Sequence, residues 1–225
     1  MAFADHPTLH PANWLRDLHA QVPRKAARDL WNRLRYGPEA PLSDELIHVD
    51  PARIDWTYDG KAGRRRLRRP ESGMILGGDW DLCRTRVDGQ VKITSCEDHF
   101  LRGVPWEDTP LYHQMLREIA AGKAPDGCTS AADVQHRYET LDRIFEETRR
   151  RGRLLTKAEL PDFFRREHGG ILVHVGRDGT LLRASGGCHR FAIARILKLP
   201  RIPAQLGVVH AEAIGAGHLR PLRAA

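Results

Sequence analysis

The chain lacks any run of the roughly 20 apolar residues that a bilayer-spanning helix needs, so no membrane span is expected. Cysteine is scarce. Cys83, Cys96, Cys128 and Cys188 form no C-x-x-C pair, and free thiols are expected rather than the disulfide framework of a small secreted domain. Cys96 and His99 have C-x-x-H spacing, but no second ligand pair follows at zinc-finger distance. Internal repeats and low-complexity tracts are absent. Met1 to Pro11 has no apolar run behind a basic start, so no secretory signal is expected and a cytoplasmic location is the default.

What is present fits a globular chain. Its 225 residues suffice for one sizeable core with an appended helical piece. Hydrophobic residues make up 41% and charged residues 29%, which argues against wholesale disorder. The formal charge is +7, which favours anionic partners. Two clusters concentrate it: six cations between Lys61 and Arg69, and Arg149, Arg150, Arg151 and Arg153. Each reads either as a solvated loop or helix end, or as a phosphate-facing patch.

The first 37 residues read as two helices with apolar stripes at Trp14, Leu15, Leu18 and at Leu30, Trp31, Leu34, separated by Pro23. Leu46 to Val49 reads as a strand, 57 to 73 as a long loop, and Val91 to Ile93 as strand-like. Thr109-Pro110 starts a helix, and Ser130 with Asp133 starts a longer one that Gly152 ends. Thr156 with Glu159 caps a short helix carrying Leu160, Phe163 and Phe164. Ile171 to Val175 and Thr180 to Ser185 form a hairpin around Asp178-Gly179. A helix follows from Cys188 to Leu197, then a strand from Ala204 to Val209. The order predicts an α+β or mixed α/β chain, with helices beside a small sheet.

The segment Ala184-Ser185-Gly186-Gly187-Cys188-His189-Arg190 ends a strand and opens a helix. Two glycines let the backbone approach an anion and adopt positive φ. The first helical N–H groups lack intrahelical partners, and the helix dipole favours negative charge there. Arg190 and His189 add donors. The same residues also suit a plain strand-to-helix turn.

Gly186-Gly187-Cys188-His189-Arg190 followed by Phe191-Ala192 resembles the sulfiredoxin signature, and the wider superfamily joins sulfiredoxins to the ParB N-terminal domain and small ParB-like kinases. The resemblance covers roughly residues 133 to 210, and Val49-Asp50-Pro51 resembles the first strand of such domains. It implies a ParB/sulfiredoxin-like α+β domain over 41–215 with an insertion at about 57–130, a helical extension over 1–40 and a tail over 216–225. It implies binding of nucleotide phosphates (ATP or ADP, with CTP a further candidate), commonly with Mg²⁺, by Gly186, Gly187, Cys188, His189 and Arg190.

Three functions follow. The first is a nucleotide-dependent phosphotransferase acting on a small hydroxylated molecule. Its carboxylate base or Mg²⁺ ligand would be Asp79 or Asp81 in Gly77-Gly78-Asp79-Trp80-Asp81, which share one face if the segment is a strand. The second is sulfiredoxin-like reduction through Cys188, whose thiolate the helix terminus, His189 and Arg190 are expected to stabilise. The third is a ParB-like DNA-binding or nucleotide-switch module. It has the basic charge but no helix-turn-helix in the residues after 210.

Overall fold

The computed structural model describes residues 21–156, 159, 170–184 and 186–223. Ser185, the Trp14 stripe and the Leu160 to Phe164 stripe lie outside the described residues. Seven α-helices and a seven-stranded mixed sheet make up the described chain. The strands are β1 (Leu46–Val49), β2 (Trp56–Tyr58), β3 (Ile75–Leu76), β4 (Arg84–Arg86), β5 (Leu172–Val175), β6 (Leu181–Arg183) and β7 (Ile202–His210). The helices are α1 (Val22–Tyr36), α2 (Val91–Arg102), α3 (Pro110–Ala120), α4 (Ala131–Arg151), α5 (Cys188–Ile196), α6 (Ala211–Gly215) and α7 (Arg220–Arg223).

The sheet order is β1-β7-β5-β6-β2-β4, with β3 also paired to β7. β5 and β6 form an antiparallel hairpin, while β5 runs parallel to β7 and β6 parallel to β2. Every residue of β7 is buried, as expected of a central strand covered on both faces. On one face, Val173, Val175 and Leu206 join Phe191 and Ala192 of α5, Ile93 and Cys96 of α2, and Tyr138 of α4 in the main core. On the other, Tyr58, Leu67, Trp80, Leu182 and Val208 form a smaller core. His174 of β5 sits in that second layer, with its ring 5.5 Å from Tyr58 and 5.9 Å from Trp80. The backbone turns tightly around it: a Cβ at Gly207 would lie 2.1 Å from His174 Nδ1.

Two sequence expectations need correcting. Val91 to Ile93 opens α2 instead of a strand, because Ile93, Cys96 and Phe100 repeat at helical spacing toward the core. Asp79 to Asp81 leads into a 3₁₀ turn, Trp80–Leu82, because Gly78 at φ +78° turns the chain after β3. The 57–130 segment supplies β2, β3, β4, α2 and α3, so both the sheet and the helical layer depend on it.

α1 docks by its polar face. Lys25 Nζ donates to Asp44 at 2.8 Å in a pair with both side chains under 7% exposed, and Asn32 donates to the Pro41 and Gly73 carbonyls. Leu30, Trp31 and Leu34, expected as a packing stripe, face outward at 62%, 62% and 74% exposure. No helix among the described residues is long and apolar enough to cross a membrane.

Candidate functional site

β6 ends at Arg183, and the chain reaches α5 through Gly186 at φ +111° and Gly187 at φ +63°. The two glycines are required for different reasons. A Cβ on Gly187 would lie 2.5 Å from the Gly170 carbonyl oxygen, so packing against the neighbouring chain excludes a side chain. Gly186 has room, with nothing nearer than 3.8 Å, and its backbone angle demands glycine. Gly187 N-caps α5 without a side-chain hydrogen bond. The first N–H groups of α5 therefore face outward without intrahelical acceptors.

A cleft of about 800 Å³ opens in front of this turn. Three further elements reach into it: α2 brings Lys92, the short turn Pro125–Gly127 brings Asp126, and α4 brings His136 and Arg137. Asp126 has φ +51°, uncommon for a residue with a side chain. Its Oδ2 accepts from Lys92 Nζ at 2.8 Å and from Arg137 Nη2 at 3.0 Å. Burial opposes its ionisation, but the Lys92 hydrogen bond and charge, with Arg137 and His189, outweigh that and hold the carboxyl below its usual range. Asp133 also lines the cleft, but its carboxylate is spent on capping α4 through Thr129 and Ser130.

His189 is 7% exposed, and its buried Nε2 has no hydrogen-bond partner. Burial first, then Lys92 and Arg137, push its pKa down to about 4, so the ring is neutral at neutral pH. Arg137 Nε is likewise buried and unpartnered. Buried polar atoms are ordinarily satisfied. The cations Lys92 and Arg137 and the N-terminus of α5 make this cleft suited to an anion.

The residues expected from sequence are placed differently from one another. Gly186, Gly187, Cys188, His189 and Arg190 all line the cleft. Burial pushes the Cys188 thiol up, against the expected stabilisation of its thiolate. Arg190 directs a guanidinium nitrogen to the Leu155 carbonyl, a tether at the cleft wall.

Asp79 and Asp81 are not brought to the turn. They lie at the Gly176–Thr180 end of the β5–β6 hairpin, whereas the glycine turn follows the other end of β6. Asp81 is buried, and Arg177 holds it through Nη2 at 2.8 Å, Nε at 3.0 Å and the backbone N–H at 3.0 Å. Asp79 accepts from the same guanidinium at 2.8 Å. Burial alone would raise the Asp81 carboxyl, but Arg177 outweighs it and holds it low. Both Asp81 oxygens are engaged by Arg177, and Asp79 engages it through Oδ1. No group of three or more metal-ligating side chains occurs among the described residues.

Lys92, Asp126 and Arg137 were not singled out from sequence. The available signal was the spacing of Asp133, Arg137, Leu141 and Ile144, which lies along one helix face, and the turn-forming Asp126-Gly127. Comparison of the chain with known family models, curated proteins and solved structures returns no match.

Proposed function

We propose that the cleft before α5 binds the phosphate groups of a nucleotide, ATP or ADP, and that the chain transfers the terminal phosphoryl group to a small hydroxylated molecule. The observation that carries this reading is the convergence of Lys92 and Arg137, from two helices, on one carboxylate in front of a glycine turn and a helix N-terminus. In the free protein Asp126 is the counter-anion of both cations. A bound phosphate competes for them and for the outward N–H groups of α5.

Asp126 takes the place of Asp79 and Asp81 as the carboxylate of the mechanism, because it shares the cleft with the turn while the Asp133 carboxylate caps α4. It accepts the acceptor's hydroxyl proton as the oxygen bonds to the terminal phosphorus and the bridging P–O bond breaks, with the shortened nucleotide leaving. Lys92 and Arg137 offset the charge on the transferring group. The sulfiredoxin-like alternative needs an accessible thiolate at Cys188, and burial works against one.

Calorimetry with ADP and ATP, and phosphorus NMR with a panel of hydroxylated metabolites, test the reading. Lys92→Ala and Arg137→Ala should each weaken nucleotide binding about tenfold or more, the loss expected for a charge-assisted contact. Asp126→Asn should bind at least as tightly as the parent, since it frees both cations, yet lose transfer. Nucleotide affinity indifferent to both cation variants would sink the proposal.

A further inference from the structure

We infer a second anion-binding surface, built from the basic loop and the β4 edge, whose ligand is single-stranded nucleic acid. The loop from Lys61 to Arg69 is held in place by its backbone and by the side chains of Leu67 and Arg69. Leu67 is buried in the second core, and Tyr58 Oη donates to the Arg65 carbonyl at 2.8 Å. The Gly63 N–H donates to the Asp59 carbonyl at 2.9 Å, and Arg69 donates to the Gly170 carbonyl at 3.2 Å. With the backbone held, Lys61, Arg64, Arg65, Arg66 and Arg68 all face solvent. None of these five forms an ion pair among the described residues. The acids nearby are committed elsewhere: Asp59 accepts from the Lys61 and Ala62 N–H groups, and Glu71 from the Arg68 N–H. The cluster at the end of α4 differs, because Arg149 pairs with Glu146 and Arg151 with Glu147.

The surface is concave. A groove of about 470 Å³ runs between Lys61, Arg66, Arg68 and Thr85 of β4. Beside it, Arg84 and Arg86 lie over the Trp56 ring at 4.7 and 5.1 Å from its centre. Guanidinium groups and an aromatic ring at this edge offer stacking partners to unpaired bases, while the loop cations track a phosphate backbone. A duplex is less well matched, because the patch presents a loop and an edge strand with no helix to enter a major groove. A membrane surface is less well matched too, because the loop exposes no large apolar side chain. Preordering of the loop spares the ligand its ordering cost. This surface stands independently of the nucleotide cleft.

Fluorescence anisotropy with labelled oligothymidylate and oligouridylate of roughly 15 nucleotides tests it on the full chain. Both should bind at low salt, and any preference for one reads out contact with the 2′-hydroxyl or with the thymine methyl group. Affinity should fall about fiftyfold between about 50 and about 200 mM salt if about four phosphates are neutralised. The combined Arg64→Ala, Arg66→Ala and Arg68→Ala variant should lose about tenfold or more in affinity, with its melting temperature and ADP binding unchanged. Arg149→Ala with Arg150→Ala should bind like the parent. The inference is overturned by no binding at low salt, by binding that ignores the triple variant, or by polyglutamate competing as well as the oligonucleotides.

Discussion

Cys188 occupies the position where a helix N-terminus and two basic neighbours would activate a thiol, and burial wins. Its neighbour Cys96 is driven further, to about 12, again chiefly by burial. Cys188 therefore contributes packing and a backbone N–H to the turn. Cys188→Ala keeps both and should leave ADP affinity within about twofold of the parent. Cys83 and Cys188 are both partly exposed, and because burial pushes the Cys188 thiol up, alkylation at neutral pH followed by mass spectrometry should modify Cys83 before Cys188. A Cys188 that labels first, or an alanine variant that no longer binds nucleotide, would contradict this assignment. The glycines behave otherwise: Gly187 meets backbone at 2.5 Å, so any side chain there must move the chain.

At the scale of elements, α1 is held by polar contacts, which reverses the usual rule for a surface helix. The Lys25–Asp44 pair is closed by Gln205, whose Nε2 donates to Asp44 Oδ1 at 2.6 Å. Removing one partner leaves the other charge buried, so Lys25→Met should cost about 3–5 kcal/mol in urea unfolding. Adding Asp44→Asn should recover part of it, because Asn tolerates the positive φ of 58° at this position. A single variant as stable as the parent would show that the pair holds nothing. This seam was hard to read in sequence, since Leu30, Trp31 and Leu34 spell an ordinary inward stripe. Elements whose signals are local were legible: the Ser130–Asp133 capping box, the Asp178-Gly179 turn and the Gly186-Gly187 turn all stand where the residues put them. The cleft opposite that turn was not. Lys92, Asp126 and Arg137 come from three elements whose meeting depends on how α2, α4 and α5 pack, and spacing along the chain does not encode that. Asp79 and Asp81 misled for the matching reason. Their partner, Arg177, lies 96 residues away from Asp81 in sequence.

Across the whole molecule, the sheet carries a buried neutral histidine on each side. His189 lies on the α5 side with a pKa near 4, and His174 in the second core with a pKa of about 3. Burial is the main cause for both, with the Leu67 carbonyl opposing it at His174. His174 is further committed as neutral, because its Nδ1 accepts from the Val208 N–H at 2.9 Å. Unfolded, both rings titrate near the ordinary value of about 6.5. Between that value and the folded pKa values, the unfolded chain binds more protons than the folded one. Stability is therefore fully present above about pH 6.5 and falls as the pH drops toward 4, by about 1.4 kcal/mol per pH unit for each ring. Asp81 and Asp126, whose carboxyls are held low, extend the loss below pH 4, where the carboxylates that Arg177, Lys92 and Arg137 grip become protonated. Urea unfolding from pH 7.5 to 4.5 should show a decline that starts near 6.5, and His189→Gln should roughly halve its slope. A flat profile over that range would mean that both rings reach solvent in the folded state. An undiminished slope in His189→Gln would assign the whole effect to His174, and the cleft histidine would then be free to carry charge when phosphate arrives.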